Sequence, residues 1–319
     1  MRKMEGSSML EEVEIAIFSY NRAKYLKNCV DSILISMPDA IITIFDDNSD
    51  DEDTLEYLKA LGDMVVYNEH DSTSRHGNLY QNMQVALENA SRRFLILLQD
   101  DTQIIRSFAD NDLTHIQTVF DDPNVAFLRP QLMKLGHLER FTNTLTPNLE
   151  CRTYIPTAEF TDCTFGNSYC DVVVCDVQKL RQKSWQFLNS ERANQIQAQK
   201  IFKYMPFMAD GFVFYCPEVP CYRSKKLFIA SRVVQSKLKG RISALKVMTK
   251  SKSTAFTTRD LDIWPVAETF LESTNPRVAK PFVYQDYSKS MYLLMLYKLE
   301  SGLSKTTSAI RSLFQQSKI

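Results

Sequence analysis

Only 8 glycines serve a chain of 319 residues. That scarcity excludes collagen-like and low-complexity architectures, and no internal repeat is visible. Neither Gly-x-Gly-x-x-Gly nor Gly-x-x-x-x-Gly-Lys-Ser/Thr occurs, so the glycine turns that bring a backbone against a dinucleotide pyrophosphate or a P-loop phosphate are missing. Histidine is nearly as rare, and His70, His76, His115 and His137 all precede residue 138. No run approaches the 18 apolar residues of a membrane span, and Met1 to Gly6 lead into acidic residues instead of a signal-peptide core. The expected location is therefore the cytoplasm. An odd set of 7 cysteines, without a secretion signal, argues for free thiols over a disulfide framework.

What is present is a globular composition, 44% hydrophobic and 24% charged. The zero net charge is a cancellation: residues 1–222 carry 20 Lys+Arg against 32 Asp+Glu, and residues 223–319 carry 18 against 6. A basic C-terminal third suggests an anionic partner such as a phospholipid surface or a phosphorylated acceptor; packing of the tail on the acidic body explains the same asymmetry.

Five short apolar runs, 13–18, 41–45, 64–67, 94–98 and 125–128, alternate with segments of helical periodicity. The runs are nearly continuous in apolar residues, as in parallel strands covered on both faces by helices. The first helix is expected from near Asn21, with Leu26, Val30 and Ile33 on one face. The second follows caps at Ser49/Asp50, carries Leu55, Leu58 and Leu61, and stops at Gly62.

Polar clusters follow three of these strands: Ser19-Tyr20-Asn21-Arg22, Asp46-Asp47-Asn48-Ser49-Asp50 and Gln99-Asp100-Asp101-Thr102. In open α/β sheets the ligand lies outside the carboxyl ends of the strands, so the three should converge on one pocket. Adjacent carboxylates such as Asp100 and Asp101 diverge, leaving one to hold a divalent cation while the other reaches elsewhere. Hard oxygen ligands suit Mg²⁺ or Mn²⁺ bound together with substrate phosphates. Asp46 and Asp47, at a different strand end, are placed to accept hydrogen bonds from a base N–H or a ribose hydroxyl.

These motifs resemble the family 2 glycosyltransferases of the GT-A fold. Ile15 to Arg22 match the opening strand and nucleotide loop, Phe45 to Ser49 the second element, and Gln99-Asp100-Asp101 the DXD-type metal motif, over about residues 12–130. The resemblance implies a Rossmann-like α/β domain with a mostly parallel central sheet and helices on both faces. Its catalytic domain would run over 1–222, with a nucleotide-binding half at about 12–130 and an acceptor half at about 131–222, before a basic, mainly helical extension at 223–319. It implies Asp47 at the base, Asp101 on the cation and Asp100 near the ribose or sugar, with Ser19, Tyr20, Asn21 and Asp46 lining the nucleotide. A basic residue and an asparagine before the DXD motif fall on Arg75 and Asn82. The histidine or arginine that family members place later in the domain has no histidine counterpart here; Arg223, Lys225 and Lys226 are the cations nearby.

The implied reaction is inverting transfer of a sugar from a nucleoside diphosphate, expected to be UDP, to a saccharide or lipid-linked saccharide in cell-surface polysaccharide assembly. A carboxylate base near a helix start falls on Glu191, with Asp210 as the fallback. Two rivals stand beside this reading: a non-catalytic nucleotide-sugar-binding or scaffold protein on the same fold, and a nucleotidyltransferase. No nucleic acid is expected as a partner.

Cys170 and Cys175 flank Val172-Val173-Val174 with a spacing that points them to opposite faces of a strand, which favours ordinary buried cysteines over a zinc site. From Met291 to Phe314 the apolar spacing is helical, with Lys298, Lys305, Arg311 and Lys318 on the polar side. Such a helix suits peripheral contact with the inner face of a membrane, packing on its own body, or pairing with a second copy.

Overall fold

The apolar runs become strands because β-branched and aromatic residues cover both of their sides. In the computed structural model, which describes residues 12–67, 78–157, 167–220, 228–238 and 241–316, the chain opens with β1 (Val13–Ser19), α1 (Ala23–Ser36), β2 (Ile41–Asp46), α2 (Glu52–Leu61), β3 (Val65–Tyr67), α3 (Leu79–Asn89) and β4 (Phe94–Gln99). There follow β5 (Thr102–Ile104), α4 (Asp110–Phe120), β6 (Phe127–Leu128), α5 (Leu138–Thr144), β7 (Leu145–Asn148) and β8 (Thr153–Pro156). Then come β9 (Val173–Asp176), α6 (Val177–Gln182), α7 (Glu191–Ile201), β10 (Phe207–Met208) and β11 (Val213–Tyr215).

Six strands form the central sheet in the order β3-β2-β1-β4-β9-β6. The first four are parallel, and β9 alone runs against its neighbours, with Val173 opposite Leu97 and Val174 opposite Leu128. Alternate residues of β1 serve opposite faces. Val13, Ile15 and Ile17 join Leu26, Cys29, Val30 and Ile33 of α1, Leu58 of α2 and Ile116 of α4. Ala16 and Phe18 join Met83 and Leu87 of α3, Leu180 of α6 and Ala198 of α7. Each large apolar side chain so enclosed contributes roughly 1.5–3 kcal/mol. On the second face Phe127 meets Tyr169, Trp185 and Phe202 edge-on at 5.2, 5.1 and 5.7 Å. Cys29, Cys151, Cys170, Cys175 and Cys216 are free thiols, and Cys170 and Cys175 are buried.

The cap of α2 differs from the expected one. Asp51 is the N-cap, its carboxylate accepting from Thr54 N at 3.1 Å, while Ser49 turns back to bond Asp46. Gly62 ends the helix with φ +56° as expected of a glycine stop.

Two compact units are present: residues 1–215 with 245–272, and residues 216–244 with 273–319. Charge placed residues 245–272 in the C-terminal extension, yet they return to the first unit, which gains α9 (Lys250–Thr257) and α10 (Ala267–Phe270). Leu245 N donates to Gln103 Oε1 at 2.9 Å, Met248 N to Ile105 O at 2.7 Å and Ala267 N to Met133 O at 2.8 Å. Charge balance carries no information about which backbone groups pair, so it could not reveal this return. In the second unit α8 (Ile229–Leu238) packs Ala230 and Val234 against Tyr287 and Leu293, the latter on α11 (Met291–Gln316). Glu300 of α11 accepts from the first N–H groups of α8, Ile229 N and Ala230 N, at 2.9 and 3.3 Å. Met291, Tyr292, Met295, Leu299 and Leu303 are exposed on α11. No described helix is long and apolar enough to cross a membrane.

Candidate active site

Parallel β2, β1 and β4 end side by side, which brings the three polar clusters to one edge. Asp46 is buried with both oxygens engaged by Ser49, from Oγ at 2.6 Å and from N at 2.8 Å. Burial pushes its carboxyl above the ordinary range, and the Ser49 bonds oppose the shift. Asn21 adopts φ +49°; its N donates to Ser49 Oγ at 2.9 Å, its Nδ2 to Asp50 Oδ1 at 2.7 Å, and its Oδ1 accepts from Asp50 N at 2.8 Å. Asp46 and Asn21 therefore brace the loops after β1 and β2. Asp47 reaches the other way, its Oδ1 accepting from Asn78 N at 2.8 Å at the start of α3.

Asp100 is fully buried and accepts from Ser19 Oγ at 3.4 Å, Tyr20 N at 3.2 Å and Arg22 Nη1 at 3.0 Å. The same Nη1 lies 2.8 Å from Asp101 Oδ2, so one guanidinium holds both carboxylates. Burial opposes the charge on Arg22, but Asp100 and Asp101 outweigh it and raise its pKa. Asp101 Oδ1 is left buried with no hydrogen-bond partner. A hard oxygen in that condition fits a divalent cation completed by substrate phosphates. Among the described residues no group of three or more His, Cys, Asp or Glu could cage a metal by itself, so Asp101 would be its main protein ligand.

β9 brings a further carboxyl to this edge. Because β9 is antiparallel, its start lies where the other strands end, and Asp171 sits two residues before it. Tyr80 Oη, at the start of α3, donates to Asp171 Oδ2 at 3.1 Å. Asp171 N donates to Glu191 Oε1 at 3.4 Å, at the first residue of α7, whose Ser190 cap accepts from Ala193 N at 3.2 Å. Burial first, and then the charge of Glu191, push the Asp171 carboxyl up to about 8. Burial also raises Glu191, against the Asp171 N–H and the positive fields of Arg129 and Lys134. Lys134 is brought down to about 8 by burial and by Arg129, with Asp101, Glu268 and Glu191 pulling the other way. Its Nζ lies 4.7 Å from the ring centre of Tyr215, the residue that pairs with Thr102 beside Asp101.

Asp210 has a different environment. Arg152 Nε meets its Oδ2 at 2.6 Å and Arg259 Nη1 its Oδ1 at 3.0 Å, so both oxygens are occupied by guanidinium groups. Asn82 is buried on α3. Arg75 lies outside the described residues, as do Arg223, Lys225 and Lys226. Within the half expected to bind the acceptor, Tyr154 stacks on Trp264 at 4.4 Å and Tyr169 packs in the core. Arg22, Tyr80, Lys134, Asp171 and Tyr215 escaped the sequence reading. Arg22 stood inside a motif already singled out, and its partners 78 and 79 residues away gave no local signal.

Residues 14–146 match the family described as Glycosyl transferase family 2. That segment is similar to the family, and the chain carries the α/β sheet that the motifs implied. Among solved structures it is similar to S. aureus TarS 1-349, at 14% identity over 64% of this chain and 60% of that one, with a TM-score of 0.43. The same protein in complex with UDP-GlcNAc gives 12% identity over 77% and 70%, with a TM-score of 0.45. The mannosyltransferase PcManGT from Pyrobaculum calidifontis, in complex with GDP-Man and Mn²⁺, gives 13% over 62% and 56%, with a TM-score of 0.39. The chain thus spans about 60% of the length of TarS 1-349. No curated protein matches it.

Proposed function

We propose that the chain transfers a sugar, with inversion, from a UDP-linked donor to a hydroxyl of a saccharide or lipid-linked saccharide in cell-surface polysaccharide assembly. The observation that carries this reading is the gathering of carboxylates at one sheet edge: bonds run from Asp47 to the start of α3, from there to Asp171 and on to Glu191, while Asp101 follows β4 and is held there by Arg22.

In this reading Asp47 accepts from the base, and Asp46 and Asn21 keep the loop in shape. Asp100 is a brace for the first loop through Ser19, Tyr20 and Arg22. Asp101 would hold Mn²⁺ or Mg²⁺, which when bound offsets negative charge on the diphosphate. Glu191, whose carboxyl burial raises against the Asp171 N–H and the fields of Arg129 and Lys134, takes the proton of the acceptor hydroxyl. The hydroxyl oxygen forms the new bond to the anomeric carbon from the side opposite the diphosphate, which departs with the electron pair of the broken bond. Lys134 adds positive charge beside Asp101 and Tyr215, near the departing group. Asp210, enclosed by Arg152 and Arg259, has no role in this proton transfer. The donor half corresponds to about residues 12–130 and the acceptor half to about 131–222 with residues 245–272. The basic second unit is the surface for contact with anionic lipid.

Calorimetric titration with UDP, GDP and their sugars tests the reading, in Mn²⁺, in Mg²⁺ and in chelator. Metal-dependent binding of one nucleotide, weakened at least tenfold by Asp101→Ala, is expected. A folded protein that binds none of them overturns it. Binding without transfer to any of a broad panel of saccharide acceptors would instead mark a binding protein.

A further inference from the structure

Asp171 has no part in the transfer chemistry just described, yet three elements are arranged around it. Along the sheet edge β2 ends in Asp46 and Asp47, β1 in Ser19, and β4 in Asp100 and Asp101, with β9 next in order. Val173 pairs with Leu97, so two residues upstream Asp171 comes level with Gln99, directly before the acidic pair. A nucleoside-diphosphate sugar laid along this edge has its nucleoside over β2 and β1 and its diphosphate at Asp101. The group that follows the diphosphate is then carried to the start of β9.

The Asp171 carboxyl itself is incompletely satisfied. Oδ2 accepts from Tyr80 Oη at 3.1 Å and the Tyr169 hydroxyl also bears on the carboxyl, while Oδ1 is closed to solvent and lacks a well-formed hydrogen bond. A buried polar atom without a well-formed hydrogen bond is costly, and a ligand that supplies the missing bond recovers that cost. The aromatic hydroxyl of Tyr80 fixes the carboxyl plane, and the Asp171 N–H fixes Glu191 beside it.

We propose that Asp171 Oδ1, braced by Tyr80 and adjacent to Glu191, is a subsite that hydrogen-bonds a ring hydroxyl of the sugar carried by the donor. The proposal rests on the donor reading above and adds the residue that reads the sugar. The groups facing Asp171 are Tyr80 from α3, Tyr169 from its own segment and Glu191 from α7; burial among them leaves it protonated at neutral pH. It can therefore donate to a sugar hydroxyl as well as accept from one, which an ionised carboxylate cannot do. Glu191, with Arg129 and Lys134 favouring its charge, stays the base.

The test compares UDP and GDP with UDP-glucose, UDP-N-acetylglucosamine and GDP-mannose, in Mn²⁺, on the parent and on Asp171→Ala. The bare diphosphate is expected to bind both proteins within twofold, while the ratio of sugar-nucleotide to diphosphate affinity falls about tenfold in the variant. A merely structural role would weaken both ligands together, and that outcome, or an unchanged ratio, overturns the proposal. Should Asp171→Ala not fold, monodeoxy sugar nucleotides on the parent decide: one lost hydroxyl must cost about tenfold, and equal binding of every analogue overturns it. A parent that binds no bare diphosphate defeats the donor reading itself, a result distinct from these.

Discussion

A carboxyl enclosed beside a second carboxyl ties protein stability to pH, and Asp171 is such a group. In the unfolded chain an aspartate ionises near the ordinary ~3.9, whereas burial and Glu191 move it to about 8 in the folded protein. The folded state thus keeps a proton that the unfolded state has released. The contribution to stability is complete below the unfolded value and is lost as the pH rises through the folded one. Asp171→Asn cannot titrate. The thermal midpoint of the variant relative to the parent should therefore shift in the variant's favour between pH 5 and pH 9, as read by a series of melts; a constant difference would contradict the buried-proton account. Asp171 was illegible in the sequence for a definite reason. Parallel strands present their carboxyl ends to a ligand, so the sequence signal for a site lies in polar residues that follow strands. Only the antiparallel direction of β9 brings a residue from before a strand to the same edge.

At the scale of elements, the strap from Arg129 to Lys134 runs beside the segment around Gly211 and sets where Lys134 and Tyr215 meet. A Cβ on Gly211 would come within 2.6 Å of Pro130 O and 3.1 Å of Leu132 Cδ1. The neighbour at 2.6 Å is backbone, and Phe212 N donates to that same Pro130 O at 3.0 Å, so it has little room to yield. Gly211→Ala should cost about 1–3 kcal/mol in urea unfolding, and a cost near zero would show that the strap can shift. The helices after β1 and β2 were legible from their periodicity, as were the strands 13–19, 41–46, 65–67 and 94–99. The Asp51 cap was not. Asp50, Asp51 and Ser49 are all good caps, and the choice fell to Asp51 because Asn21 and Asp46 claim the other two.

For the molecule as a whole, ligand binding should register in the unit that holds the site. A nucleotide and Mn²⁺ at about a hundredfold over Kd add ~2.7 kcal/mol to the folded state. At roughly 2–4 °C per kcal/mol for a domain of this size, the melting transition of the first unit should rise by about 5–10 °C. The rise should vanish in chelator and in Asp101→Ala, whose lost oxygen is the one left for the cation. A shift of equal size without metal would remove Asp101 from the metal role.

From the sequence alone came the alternation of apolar strands with amphipathic helices and the acidic clusters at three strand ends, because periodicity and turn chemistry are local and survive in one dimension. The charge split was equally plain, but it misdirected the boundary, since residues 245–272 join the first unit through backbone bonds that composition does not encode. Tertiary structure alone decided that Arg22 clamps both Asp100 and Asp101, that Arg152 and Arg259 enclose Asp210, and that Asp171 stands beside Glu191. Each of those pairs joins residues 20 to 79 positions apart, or depends on the direction of one strand, and free energies of that kind exist only once the chain has closed on itself.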